Sequence, residues 1–144
     1  MIVTLQRSRT VVPGKEATAA MGEVRVSHET GRVDAWRALE RLDGFVRLPA
    51  GRYMLEVATM TNGASAFRIL PMPGETLARF TKKQWTSLTA GRFYLHSASQ
   101  PEHVKGCIGV QFFSVLRETL LKTIGASGLY LDIVDPEEGE AATS

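Results

Sequence analysis

Cys107 is the only cysteine of the chain, and it directly follows Gly106 at the close of a segment that begins around His96: Tyr94-Leu95-His96-Ser97-Ala98-Ser99-Gln100-Pro101-Glu102-His103-Val104-Lys105-Gly106-Cys107-Ile108. A thiol and an imidazole that touch can share a proton near neutrality, because their ordinary pKa values lie near ~8.5 and ~6.5. Deprotonated, the sulfur is a strong nucleophile. Gly106 carries no side chain to obstruct a substrate carbonyl, and the amides around Cys107 are candidate donors to a developing oxyanion. These parts suit acyl transfer, with Cys107 as nucleophile, His96 as its partner and Gly106 beside the oxyanion. Other readings of the same residues stay open. A lone cysteine flanked by Ile108 and Val110 also has the composition of an inert core residue. His96, His103 and Cys107 together offer three zinc-type donors, one fewer than a closed structural site uses. Glu102 and His103 lie in a polar loop, either solvated or in contact with imidazole or substrate. Arg68, Arg92 and Lys105 are either solvated or placed to neutralise substrate carboxylates. His28, in the alternating run Val24-Arg25-Val26-Ser27-His28, is expected to line a strand face.

For His96 and Cys107 to meet, two strand ends must lie side by side. Arg92-Phe93-Tyr94-Leu95-His96 has the aromatic and apolar content of a strand, and 107–110 of a second short one, with a polar loop between them. Alternation sends Cys107 and Ile108 to opposite faces, the sulfur to a cleft and Ile108 to the core. Upstream, residues 2–8, 17–21 and 24–28 alternate apolar and polar, and Gly22 is expected to turn the chain within an antiparallel meander. Trp36, Leu39 and Leu42 recur at a spacing that predicts a short helix over 34–42. Leu48-Pro49-Ala50-Gly51 is turn chemistry; strands are expected over 52–60 and 67–70, reversed at Asn62-Gly63 and ended by Pro71 and Pro73-Gly74. Thr81-Lys82-Lys83-Gln84 has the spacing of a capping box, predicting a helix over 82–88. Phe112, Val115, Leu116, Thr119 and Leu120 share one helical face, so the best-defined helix covers about 112–124, with Gly125 or Gly128 as its stop. Residues 129–134 form a last strand. The expected class is mainly β with α elements (α+β), a small antiparallel sheet or barrel.

Composition narrows the function classes. The 144 residues suffice for one core, expected over 1–135, while 136–144 is an acidic, small-residue stretch expected to be a flexible tail. Seventeen basic residues against fifteen acidic ones leave a formal charge of +2. The basic residues form no tract, so charge gives nucleic-acid binding little support. The first residues alternate like a strand and lack the apolar run of a signal peptide, and no segment has the length of a membrane span; synthesis in the cytoplasm is expected.

The segment from His96 to Ile108 resembles the I-H-x-G-N-x-x-x-D-x-x-G-C-I signature of a family of small bacterial and phage proteins known as a domain of unknown function. That family is in turn distantly similar to the L,D-transpeptidases, whose site pairs a histidine with a Ser-His-Gly-Cys type motif. The likeness extends in order over most of 2–134, through the Val3-Thr4-Leu5-Gln6-Arg7 strand, Leu48-Pro49-Ala50-Gly51-Arg52-Tyr53 and the turn at 71–74. The specific part is His96 with Gly106-Cys107-Ile108. Ser99 stands where the family usually has Asn and His103 where it has an acid. Val104 and Lys105 replace the Ser-His of the transpeptidases, and Gln111 replaces a common Gly. The resemblance implies an L,D-transpeptidase-like scaffold in which Cys107 accepts an acyl group from a peptidoglycan stem peptide, His96 is its base and the amides near Gly106 and Cys107 bind the oxyanion. Ser99, His103, Arg92 and Arg68 are then the candidate substrate contacts. Such chemistry needs neither metal nor organic cofactor, and its place is the cell wall. The competing expectation is a non-catalytic phage virion or tail component, or a bacterial interaction module, assembled into a phage or secretion particle. Residues 76–90 look like an addition to the family pattern, a lid or docking element over the site.

Overall fold

Alternation along the first strand, β1 (Ile2–Pro13), turns Val3 and Leu5 into the interior, and the same period repeats around a closed ring of strands. The computed structural model describes residues 1–104, 107–123 and 128–137. After β1 come β2 (Thr18–Ser27), β3 (Val33–Arg41), β4 (Gly51–Thr59), β5 (Ser65–Pro71), α1 (Lys82–Thr89), β6 (Tyr94–Ser97), β7 (Ile108–Val110), α2 (Phe113–Thr123) and β8 (Leu129–Val134). The strands close into a barrel in the order β1-β2-β3-β7-β6-β5-β4-β8. A mainly β fold is therefore correct, although two joints depart from an antiparallel sheet: β1 with β8 and β6 with β7 run parallel. An eight-stranded ring is narrow enough for side chains to fill it. Here Trp36, Tyr53, Phe67, Ile69 and Leu131 do so.

The two helices add to that core. Thr81 and Gln84 form the expected reciprocal capping box, with Oγ1 of Thr81 accepting from the Gln84 amide at 3.1 Å and the Thr81 amide donating to Oε1 of Gln84 at 2.7 Å. Phe80 and Leu88 reach the core, while Arg79 donates to the Ala50 carbonyl and Gln84 to that of Arg47. The segment 76–90 thus packs where β4 begins. None of its residues lines the His96–Cys107 cleft, and the expectation of a lid over that site is corrected by the burial of Phe80 and Leu88. Helix α2, within the expected 112–124, lays Phe113, Leu116 and Leu120 on the core, the Phe113 ring edge-on to Phe67 at 6.0 Å. Gly125 and most of the expected tail lie outside the described residues. No helix among the described residues is long and apolar enough to cross a membrane.

Two local expectations are overturned. The predicted helix over 34–42 is strand β3, with Trp36 and Ala38 in the main core and Leu39 in a second cluster with Ala19, Ala98 and Val104. The strand is covered on both faces at that point, which removes the alternation that would have marked it. Gly22 lies inside β2 and turns nothing. A Cβ there would stand 2.7 Å from the Gln6 carbonyl, beside an irregularity in the β1–β2 pairing. Its missing side chain permits close approach of two backbones.

Candidate functional site

Parallel strands cannot be joined by a tight turn, so the chain crosses over between β6 and β7, and residues 98–104 and 107 are the described part of that crossover. Leu95 stands opposite Ile108 and His96 opposite Gly109. Because Leu95 and Ile108 both enter the core, alternation turns His96 to the outer face, while Cys107, just ahead of β7, is buried and also borders a small hollow with Glu40, Leu48 and Phe93. His96 and Cys107 border one cleft of about 430 Å³, together with Asn62, Ser97, Glu102 and His103. Each is only 8% exposed.

The hydrogen bonds define the resting state. Nδ1 of His96 lies 2.9 Å from the Ser97 carbonyl oxygen. A carbonyl only accepts, so that bond assigns the proton to Nδ1 and the lone pair to Nε2. Burial lowers the His96 pKa below the ordinary histidine value, with the Ser97 bond opposing. Burial likewise raises the pKa of Cys107, opposed by the Tyr94 backbone, and the thiol donates to the Arg92 carbonyl at 3.7 Å. The sulfur and the imidazole bond to these backbone carbonyls rather than to each other. The pair at rest is therefore a thiol and a neutral imidazole. In that state Nε2 of the imidazole is an acceptor.

The crossover is held against the barrel at two places. Gly109 lies beneath it, where a Cβ would come within 2.5 Å of the Ala98 Cβ and 2.7 Å of Val104 Cγ2. Glu102 ties the crossover to the β1–β2 turn by accepting from the Glu16 amide at 3.1 Å, and the space its carboxylate occupies is left free by Gly14. Hydrogen bonds from its own amide and from those of Glu16 and Lys15 hold this carboxyl below the usual carboxylate range.

The sequence candidates separate into three groups. His96, Cys107 and His103 share the cleft. Ser99 borders the adjoining hollow, which also reaches His103. Arg68 and Arg92 do not line the cleft: Arg68 bonds Glu56 and the Tyr94 hydroxyl, each at 3.2 Å, and Arg92 supplies its carbonyl to the thiol. Gly106, expected beside the oxyanion, and Lys105 lie outside the described residues. His28 ends up beyond β2, with Nε2 2.8 Å from Asp34. Among the described residues, no three His, Cys, Asp or Glu side chains are grouped to hold a metal ion. Met60, Asn62 and Ala64, from the β4–β5 turn, were not foreseen as part of the cleft. Asn62-Gly63 marks a reversal in the sequence, but only the ring order brings that reversal beside β6.

The fold and cleft define a filled eight-stranded barrel with a buried thiol and a buried imidazole bordering one cleft. No protein-family model, curated protein or solved structure matches the chain.

Proposed function

We propose that the protein is a cysteine acyltransferase or peptidase acting on peptidoglycan stem peptides, on an L,D-transpeptidase-like scaffold. The observation that carries the reading is that a thiol and an imidazole whose Nε2 lone pair is left open border one cleft. When a substrate amide enters, Nε2 of His96 removes the thiol proton as Sγ of Cys107 bonds to the carbonyl carbon. Collapse of the tetrahedral adduct breaks the C–N bond, and the imidazolium returns that proton to the leaving amine. The remaining thioester passes its acyl group to water or to a second amine, with His96 again taking the proton. The Ser97 carbonyl fixes the ring orientation throughout, and His103, at the rim, contacts the substrate.

The second reading is a virion or tail component, or an interaction module, that keeps the barrel without chemistry. It is favoured by the Cys107 thiol donating to Arg92 rather than to His96. Incubating purified tetrapeptide muropeptides with wild type and with Cys107→Ala, and following product masses, tests the choice. The acyl-transfer reading predicts trimmed or cross-linked products from wild type alone. Identical, unchanged muropeptides in both reactions would favour the non-catalytic module.

A further inference from the structure

The Asn62-Gly63 reversal, a turn signal in the sequence, stands in the fold as part of the cleft's border. Pairing between β5 and β6 stops at Phe67–Leu95. Past that point His96 and Ser97 continue beside β7, and the tip of the β4–β5 hairpin continues without β6. The tip and His96 then border the same cleft without pairing to one another. The tip is braced from within. The Met60 amide donates to the Ala64 carbonyl at 2.8 Å, the Gly63 amide to the Met60 carbonyl at 2.8 Å, and the Ala64 amide to Oδ1 of Asn62 at 3.0 Å. Gly63, at φ +87°, supplies the left-handed residue of the reversal. The bond from Ala64 has a chemical consequence. A backbone amide only donates, so the atom facing it is the carboxamide oxygen of Asn62. Both N–H donors of Nδ2 are left over, with no protein partner among the described residues.

We propose that Asn62 is a substrate-binding residue, its Nδ2 donating to a main-chain carbonyl of the peptide whose amide meets Cys107. The proposal rests on the acyl-transfer reading for the identity of that peptide. The polar groups around the cleft favour this role. Nε2 of His96 is an acceptor, and the Ser97 carbonyl is taken by Nδ1 of the same ring. The Glu102 carboxylate only accepts, and it is already engaged by the Glu16 amide. A peptide brings one carbonyl with every residue, and each carbonyl that leaves water needs a donor. Asn62 carries the one carboxamide among the described residues bordering the cleft. Because its oxygen is anchored to Ala64, the side chain is fixed before a ligand arrives, and little rotational freedom is lost when the donor is used.

The test is an NMR titration of the whole protein, labelled with heavy nitrogen and carrying Cys107→Ala so that it binds without turnover, with a tetrapeptide muropeptide. A saturable downfield shift of the Asn62 side-chain NH2 pair is expected. Asn62→Asp in the same background keeps the oxygen that caps the turn and removes both donors. Affinity should then fall about tenfold, with a Tm close to that of the parent. A residue that served only the turn would tolerate this replacement. Thr61→Ala, next along the tip but not bordering the cleft, should bind as the parent does. Cys107→Ser, closer in size to cysteine, repeats the titration independently. No saturable shift, shifts elsewhere with the Asn62 NH2 pair unmoved, or undiminished affinity in Asn62→Asp would overturn the proposal. Acyl transfer is read separately, as added mass on Cys107 of the wild-type protein, so loss of the chemistry and loss of the Asn62 contact are told apart.

Discussion

Two sets of buried polar groups in this barrel are built in opposite ways. Inside the ring, Arg7 and Glu40 meet through two hydrogen bonds of 2.8 Å, with side chains only 6% and 7% exposed. Arg47 adds a contact to Glu40 at 3.3 Å, Asp135 one to Arg7 at 3.1 Å, and the Leu48 carbonyl accepts from Arg7 as well. Burial opposes the charge on Arg7, but Glu40 and Asp135 outweigh it and the guanidinium is held more firmly protonated than usual. Across β6 and the start of β7, His96 and Cys107 are buried, each bonded to a backbone carbonyl and not to the other. The first arrangement is paired on itself: the donors of Arg7 and the carboxylate of Glu40 face one another, and of the surrounding Arg47 only Nε is buried without a partner. The second keeps one lone pair and one thiol beside a cleft. A buried polar pair that saturates itself serves the fold, and one left unsaturated beside a cavity is available for chemistry.

Breaking the closed pair should have the largest effect. Arg7→Met strands the Glu40 carboxylate in the barrel and should cost about 3–5 kcal/mol, measured by urea unfolding, whereas Arg7→Met with Glu40→Leu should recover much of that loss. Equal destabilisation by the single and double replacements would show that packing, not the stranded charge, dominates. The open pair should respond in rate rather than stability. His96→Gln should slow acyl transfer to Cys107 by about 10²- to 10⁴-fold, the usual contribution of a general base, with little change in Tm above pH 7. A rate within a few-fold of wild type would remove His96 from the mechanism.

Next in size is the floor beneath the crossover. Gly109→Ala places a methyl group where Ala98 and Val104 already stand, and overpacking of this kind should destabilise by about 1–3 kcal/mol. Because the crossover also walls the cleft, acyl transfer should fall with it. Unaltered stability and rate would mean that the crossover shifts freely.

The smallest effects are in pH dependence. A thiol raised by burial should react with iodoacetamide along a curve whose midpoint lies above the ordinary value of about 8.5, and no reactive plateau should appear below pH 7. Such a plateau would reveal a thiolate–imidazolium pair instead of the neutral one. For His96 the folded state has the lower pKa, so between it and the unfolded value of about 6.5 the unfolded chain binds more protons. The neutral histidine's stabilising contribution is present above that range and lost as pH falls through it. Wild type should therefore lose Tm relative to His96→Gln below about pH 6.5, and parallel Tm curves for the two proteins would contradict the lowered pKa.

How far the sequence disclosed this arrangement depends on how local each signal is. The capping box of α1 and the apolar face of α2 are short-range patterns, and both helices form where those patterns place them. His96 and Cys107 were legible together because a single crossover separates them. Alternation also placed Ile108 in the core. Strand β3 was illegible because Leu39 is covered by the crossover, a contact made far along the chain, and its apolar spacing imitates a helix. Gly22 was misread because a bare backbone serves close packing as well as turning, and the sequence does not distinguish the two. The roles of Arg7 and Glu40 could not be read at all: charged side chains in alternating strands are ordinarily solvated, and only closure of the ring puts both inside.

The most direct test of the open pair is the intact mass of the protein after brief exposure to a tetrapeptide muropeptide at neutral pH. The account predicts an added acyl mass on Cys107, absent from Cys107→Ala and formed far more slowly by His96→Gln. An unmodified wild-type protein, with no muropeptide product released and with its thiol still open to iodoacetamide at high pH, would contradict it.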